Sequence, residues 1–311
     1  MNSGIGFGKT ILFGEHFVVY GLPGIASAIS DYAETVIEDS DSFEFIDERP
    51  QTSGYKEKKK NEIQRQLNSL MNSFELNENS KIKISLKGNL FCASGVGASA
   101  ALAASIARAL NEKLEKKLND EQINEATFLA EEAGSGPASG IDNTCAVFGG
   151  MISFTKNLTG GKNKIELIKI KEPIEIVLAN SGVTQETKKI VAEVKEWKEK
   201  NPKEFEEITK EYLKLYEEGL NALKNGETQI LGRLMNQNHK LLQRITVSSD
   251  LMDEMQKIAL ENGAFGAKLT GTGRGGLMLC LTPGKELQEK VAKAFEEQGV
   301  NAKKTMIGVK A

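Results

Sequence analysis

The chain has 311 residues, 40% of them hydrophobic, which is material for two cores rather than one. Forty lysines and arginines stand against 43 aspartates and glutamates, a net charge of -3, and no basic tract is long enough to mark a nucleic-acid footprint, so a nucleic-acid partner is not expected. Three widely spaced cysteines (Cys92, Cys145, Cys280), each among apolar or small neighbours, fit neither a disulfide framework nor a zinc site and point to a reducing compartment.

In chain order, Met1 to Lys9 lacks the basic start and apolar run of a signal peptide. No later stretch approaches the roughly 20 apolar residues of a membrane span, so a soluble cytoplasmic protein with no membrane partner is expected. Thr10–Phe13 and Phe17–Tyr20 read as two strand segments around the polar turn Gly14-Glu15-His16, a hairpin pattern. The lysine cluster Lys56, Lys58, Lys59 and Lys60 lies in a polar, loop-like stretch and reads as solvated surface. Ser80–Lys87 alternates with Ile82, Ile84 and Leu86 on one face, as a half-buried strand does.

That strand leads into Ala93-Ser94-Gly95-Val96-Gly97-Ala98-Ser99 and then into an Ala- and Leu-rich helix with Leu102, Ile106 and Leu110 in register. A strand, a glycine loop and a helix in succession can cradle a polyphosphate, because inward N–H groups and the positive helix end both favour an anion; Ser99 is placed to put its hydroxyl on Mg2+. The same spacing also serves a tight turn packed by small residues. The loop is neither a Walker A sequence nor a Rossmann fingerprint, since no lysine follows the last glycine and Ala100 holds the third-glycine position.

Asn119 caps a second helix, with Asp120 and Glu121 in its first turn, that ends near Gly134. Directly after it comes Ser135-Gly136-Pro137-Ala138-Ser139-Gly140-Ile141-Asp142-Asn143-Thr144, an acid set in a loop of small residues. Glu131 at the helix end and Asp142 on that loop have the spacing to converge on one Mg2+ ion or one hydroxyl. Lys9 gains a role if the fold brings it beside Asp142, where it would steady negative charge on a transferring group; otherwise it is a surface lysine.

Strand-like runs follow at Val147–Phe154, Ile165–Ile170 and Ile174–Ala179, and after Asn180 long amphipathic helices take over. One carries Ile190, Val194 and Trp197 and stops at Pro202; the next carries Phe205, Ile208, Tyr212 and Leu215 and ends at Gly226. Two more lie around Ile230–Leu242 and Leu251–Asn262. A second glycine loop, Gly271-Thr272-Gly273-Arg274-Gly275-Gly276, then feeds a strand at Leu277–Leu281, with Arg274 adding a charge near phosphates. The change of character places a domain boundary near Glu172, giving domains 1–172 and 173–311. His239, alone on an amphipathic helix, reads as a hydrogen-bonded packing residue, and Cys145 as a small buried filler.

Together these segments resemble the GHMP kinase superfamily, and within it the mevalonate kinases. The carriers are Gly8–Gly21 with its Lys-Thr-Ile-Leu-Phe-Gly-Glu-His core, Gly95–Ala100, Ser139–Thr144 and Gly266–Gly273, with Leu234–His239 and Val247–Ser249 in support. The resemblance implies a two-domain α+β protein, the first domain like ribosomal protein S5 domain 2 and the second ferredoxin-like. It implies ATP-dependent phosphorylation of the primary hydroxyl of mevalonate in isoprenoid biosynthesis, Mg2+ as cofactor and a homodimer.

By position, Ser94, Gly95, Val96, Gly97, Ala98 and Ser99 would bind ATP, and Ser99 and Glu131 would hold Mg2+. Asp142 and Lys9 would be catalytic, with Asp142 either general base or orienting group. Glu15, His16, Thr187, Gly271 and Thr272 would contact mevalonate. The chain departs from the family pattern at Ser135–Ala138, where His-Gly-Asn/Thr-Pro is usual, at Gln185, where an Arg is usual, and at Arg274 within a glycine run. Another GHMP kinase, acting on a sugar, homoserine or phosphomevalonate, is the alternative, and a catalytically inactive GHMP-fold binding protein the more remote one.

Overall fold

The structure is a computed structural model that describes residues 2–51, 54–92, 95–136, 138–161 and 163–310. Its first strand, β1 (Asn2–Phe13), is glycine-rich for a packing reason: a Cβ on Gly6 would run into the backbone of Ala101, so strand and helix meet without side chains between them. The helix on the other side of that contact, α2 (Ala98–Lys113), is correspondingly alanine-rich, with Ala100, Ala101, Ala103, Ala104 and Ala107 fully buried. Close approach of these two elements fixes the glycine loop next to Lys9.

The chain folds into two compact units, one formed by the chain up to Lys9, Ala28–Gly149 and Lys310, the other by Thr10–Ser27 and Gly150–Val309. This division differs from the single cut expected near Glu172. The reason is strand pairing: β2 (Pro23–Asp39) gives its first residues to one unit and the rest to the other, and β5 (Met151–Thr155), with β6 (Lys164–Ile168) beside it, pairs with Pro23–Ser27.

In the first unit β2 pairs antiparallel with β4 (Ile82–Gly88) from Ala33↔Gly88 to Asp39↔Ile82, and β3 (Glu44–Asp47) lies parallel beside β4. Four helices complete the unit's described part: α1 (Tyr55–Ser73), α2, α3 (Asp120–Ser135) and α4 (Ile141–Phe148). They close a core of Ile84, Leu86, Leu102, Ile106, Ile123 and Val147. The lysine cluster expected in a loop starts α1 instead, because Leu67, Leu70 and Met71 recur at helical spacing and bury one face. Lys56 is half-buried rather than freely solvated; its ammonium bonds to the Asp47 carboxylate and to the carbonyls of Asp47 and Arg49.

In the second unit, β10 (Asn301–Ile307), β7 (Ile174–Asn180), β9 (Leu277–Leu281) and β8 (Gly266–Thr270) pair in that order, every neighbour antiparallel. Its helices are α5 (Thr187–Lys200), α6 (Pro202–Asn225), α7 (Thr228–Arg244), α8 (Asp250–Glu261) and α9 (Lys285–Glu296). The hairpin expected around Gly14–His16 has only its first arm. Val18–Tyr20 forms a 3-10 turn, because Phe17 is drawn into the core and stacks on the Tyr212 ring at 4.1 Å. Among the described residues no helix is long and apolar enough to cross a membrane.

Candidate active site

In the first unit the glycine loop opens α2 as its sequence predicts. Gly97 caps the helix with φ 69°, a left-handed conformation that costs glycine nothing and other residues dearly. Space is equally short, since a Cβ there would lie 2.8 Å from Lys9 Cγ. The backbone N–H of Lys9 donates to Val96 O at 2.8 Å, so strand and loop are tied together. Ser94 lies outside the described residues.

Asp142 differs from expectation: it sits not on a loop but in the first turn of α4, which starts at Ile141. Gly140, at φ 88°, lets the chain turn straight into the helix, and Thr144 Oγ1 donates to Gly140 O at 2.6 Å to hold that turn. A carboxylate there faces the positive end of the helix. Lys9, only 7% exposed, brings Nζ to 3.3 Å from Asp142 Oδ1. Three residues on, Cys145 is fully buried, and burial pushes its thiol up, so it is the inert filler that its surroundings suggest.

Ser99 Oγ donates to Glu131 Oε1 at 2.6 Å, joining the first turn of α2 to the last turns of α3. Glu131 is buried, and loss of hydration pushes its carboxyl up to about 7. The Ser99 hydrogen bond opposes that rise, the Asp142 charge adds to it, and Gln66 and Lys9 oppose it. The Gln66 amide, on α1, donates both to Ser99 Oγ at 2.6 Å and to Glu131 Oε1. Lys9, Ser99, Glu131 and Asp142, widely separated in sequence, thus share one unit.

The second unit gathers another set. Glu15 forms an ion pair with Lys268 on β8, both fully or almost fully buried, and the ammonium also donates to Leu269 O at 2.7 Å. Burial lowers the Lys268 pKa, and the Glu15 carboxylate opposes the fall. His16 Nε2 donates to Thr272 O at 2.7 Å, which leaves Nδ1 as the acceptor of a neutral ring, buried and without a hydrogen-bond partner among the described residues. Burial holds the imidazole below its ordinary pKa, the Thr272 bond opposes, and the Arg274 charge adds to the lowering. Thr187 Oγ1 lies 2.7 Å from Thr272 Oγ1.

Sequence reasoning placed Glu15, His16, Thr187, Gly271 and Thr272 on the substrate side, and the second unit brings His16, Thr187 and Thr272 into direct contact. Arg274 behaves differently from the expected phosphate charge. Its guanidinium donates to Thr246 O at 2.8 Å and pairs with Glu193 on α5. His239 is the expected packing residue, fully buried, accepting from Leu269 N and donating to Asp253 Oδ1 at 2.9 Å.

Two participants went unread in the sequence. Lys268 had a signal, a lysine inside the strand Gly-Ala-Lys-Leu-Thr where every neighbour is buried. Gln66 had a weaker one, a glutamine next to Leu67 within the apolar stripe of α1.

Fold and geometry define a small-molecule kinase of the GHMP type. The chain matches the model of the GHMP kinases N terminal domain over residues 61–150 and that of the GHMP kinases C terminal over residues 220–301. Mevalonate kinase of Pyrococcus abyssi is 32% identical over 94% of this chain and 91% of its own length, and that of Pyrococcus horikoshii 34% identical over the same shares. The structure of L. major mevalonate kinase in complex with R-mevalonate superposes with a TM-score of 0.92 at 31% identity, over 98% of this chain and 95% of that one. The chain belongs to the mevalonate kinase family of GHMP kinases. The two-domain α+β GHMP kinase fold expected from its motifs is the fold it adopts, and the family's kinases depend on ATP.

Proposed function

We propose that this protein transfers the γ-phosphoryl group of ATP to the primary hydroxyl of mevalonate, giving 5-phosphomevalonate for isoprenoid biosynthesis. The observation that carries the reaction is Lys9 Nζ 3.3 Å from Asp142 Oδ1, in the unit that also holds the Ser99–Glu131 pair. The substrate reading is supported by relatives named mevalonate kinase over nearly the whole chain and by the R-mevalonate complex of the L. major enzyme. Phosphomevalonate kinase and galactokinase structures are only 14–16% identical to this chain, a likeness that carries the fold and not the substrate.

In this reading Asp142 orients the hydroxyl and takes its proton as the oxygen bonds to the γ-phosphorus. The bond from the γ-phosphorus to the β–γ bridging oxygen breaks, and its electron pair leaves with ADP. Phosphoryl transfer asks chiefly for in-line positioning and charge neutralisation, which Lys9 and the N–H groups of Gly95–Ser99 provide. A hydroxyl and a carboxylate are oxygen donors of the type Mg2+ prefers, so Ser99 and Glu131 would hold that ion, which when bound would supply charge neutralisation to the phosphates. Glu15, His16, Thr187, Gly271 and Thr272 would contact mevalonate, with the His16 Nδ1 lone pair as a hydroxyl acceptor. A homodimer in the cytoplasm belongs to the same proposal, and light scattering of the purified protein tests the dimer.

The deciding assay incubates the protein with Mg·ATP and mevalonate, phosphomevalonate, homoserine or galactose. Turnover of mevalonate should exceed the others, and preference for another alcohol overturns the assignment. Asp142→Asn should lose about 100- to 10,000-fold in kcat while still binding ATP. Turnover near wild type would remove Asp142 from the chemistry.

A further inference from the structure

Gln66 has a side chain with more capacity than its packing uses. The residue is 1% exposed on α1, and its amide nitrogen lies 2.6 Å from Ser99 Oγ and 2.5 Å from Glu131 Oε1. Its amide oxygen, on the same carbon, is buried and has no hydrogen-bond partner among the described residues. Leaving a polar atom so placed costs stability, which a helix could avoid with a leucine at this position.

The neighbourhood is shaped around this one side chain. Gly134 of α3 faces it, and a Cβ there would come within 2.7 Å of Gln66 Cγ. The preceding residue, Arg65, ties α1 to the end of α3 through the carbonyls of Ala133 and Gly134. Helix, glycine and arginine together hold the amide against the Ser99–Glu131 pair.

Among the described residues no three His, Cys, Asp or Glu side chains converge as a metal group. A hard cation held by Ser99 and Glu131 would therefore draw the rest of its shell from other oxygens, of phosphate, water or an amide. A half-turn of the terminal torsion of Gln66 exchanges its nitrogen for its oxygen at the same point, and that torsion is soft.

We infer that Gln66 is a third protein oxygen donor to the divalent cation, reaching it directly or through one water, and that the amide inverts between holding the Ser99–Glu131 pair by hydrogen bonds and facing the cation with Oε1. The inference rests on the reading of Ser99 and Glu131 as cation ligands. It adds to that reading a residue from a third helix, so cation binding also locks α1 to α2 and α3.

The test measures Mn2+ alone, by paramagnetic resonance titration of the full-length protein at pH 8, in wild type, Gln66→Met, Gln66→Glu and Glu131→Gln. Gln66→Met keeps the length but offers no oxygen, and should weaken Mn2+ binding about tenfold, the lower range for loss of a supporting ligand. Gln66→Glu is isosteric with oxygens only. It should bind Mn2+ more tightly than wild type, and Mn2+ should raise its melting temperature further.

A merely structural glutamine would shift the melting temperature without added metal and leave the Mn2+ affinity of both Gln66 variants equal to wild type, which overturns the inference. If the Met variant does not fold, the Glu variant decides, and affinity equal to wild type is the refuting result. Mn2+ binding undisturbed in Glu131→Gln refutes instead the underlying reading of the Ser99–Glu131 pair. Loss in Glu131→Gln with no change in either Gln66 variant refutes only the role of Gln66.

Discussion

Lys268→Met is the most severe test of the buried electrostatics in the second unit. The Lys268 and Glu15 side chains are both 0% exposed, so neither charge can turn to water when its partner is removed. The ammonium also donates to Leu269 O, and the substitution removes that hydrogen bond as well. Breaking a buried pair from one side costs about 3–5 kcal/mol, most of it the penalty of an uncompensated charge. Glu15→Gln should cost less, because burial already lowers the Lys268 pKa and the stranded lysine can shed its proton. The double variant removes both charges and should recover at least ~2 kcal/mol relative to the sum of the single changes. Urea titration at pH 8 provides the reading, with fluorescence of Trp197, the only tryptophan, reporting this unit from α5. A Lys268→Met loss below ~1 kcal/mol, or strict additivity in the double variant, would refute the argument that this pair is a desolvated, mutually dependent unit.

Three further outcomes follow from the geometry. The Glu131 carboxyl, pushed up from 4.5 to about 7, favours the folded state when neutral, so its contribution is complete below pH 4.5 and is lost as pH rises through 7. Chelator-treated wild type should therefore lose ~3 kcal/mol against Glu131→Gln between pH 4.5 and 8, and parallel melting profiles would contradict the burial argument. Gly97→Ala sets a side chain at φ 69° against Lys9 Cγ, and should cost about 1–2 kcal/mol of stability together with a fall in kcat; an unchanged kcat would show that Lys9 does not depend on this packing. Arg274→Met should leave KM for ATP within about twofold and destabilise by under ~1 kcal/mol, since its partners are Glu193 and Thr246 on a partly exposed face. A tenfold rise in KM would place Arg274 on the phosphates after all.

Local signals in the sequence were legible where the chemistry is local. The strand entering Gly95–Gly97, the capped helix α3 with its Asn119–Gln122 capping box, the proline start of α6 and its glycine stop all follow from backbone constraints acting over a few residues. Where tertiary packing outweighed local preference, the reading shifted. Phe17 left a strand pattern to stack on Tyr212, and the lysine-rich start of α1 became helical because the apolar residues that follow had a core to face.

The residue types of the site, its glycine loops and its family were thus determined by the sequence itself, because motifs that bind phosphate are written in consecutive residues. Only the tertiary structure decided which charges meet. Lys268 reaches Glu15 across 253 positions and Gln66 reaches Glu131 across 65, and no periodicity carries such pairings. They exist because packing excludes water, and a buried polar group must then find its partner wherever the fold brings one within reach.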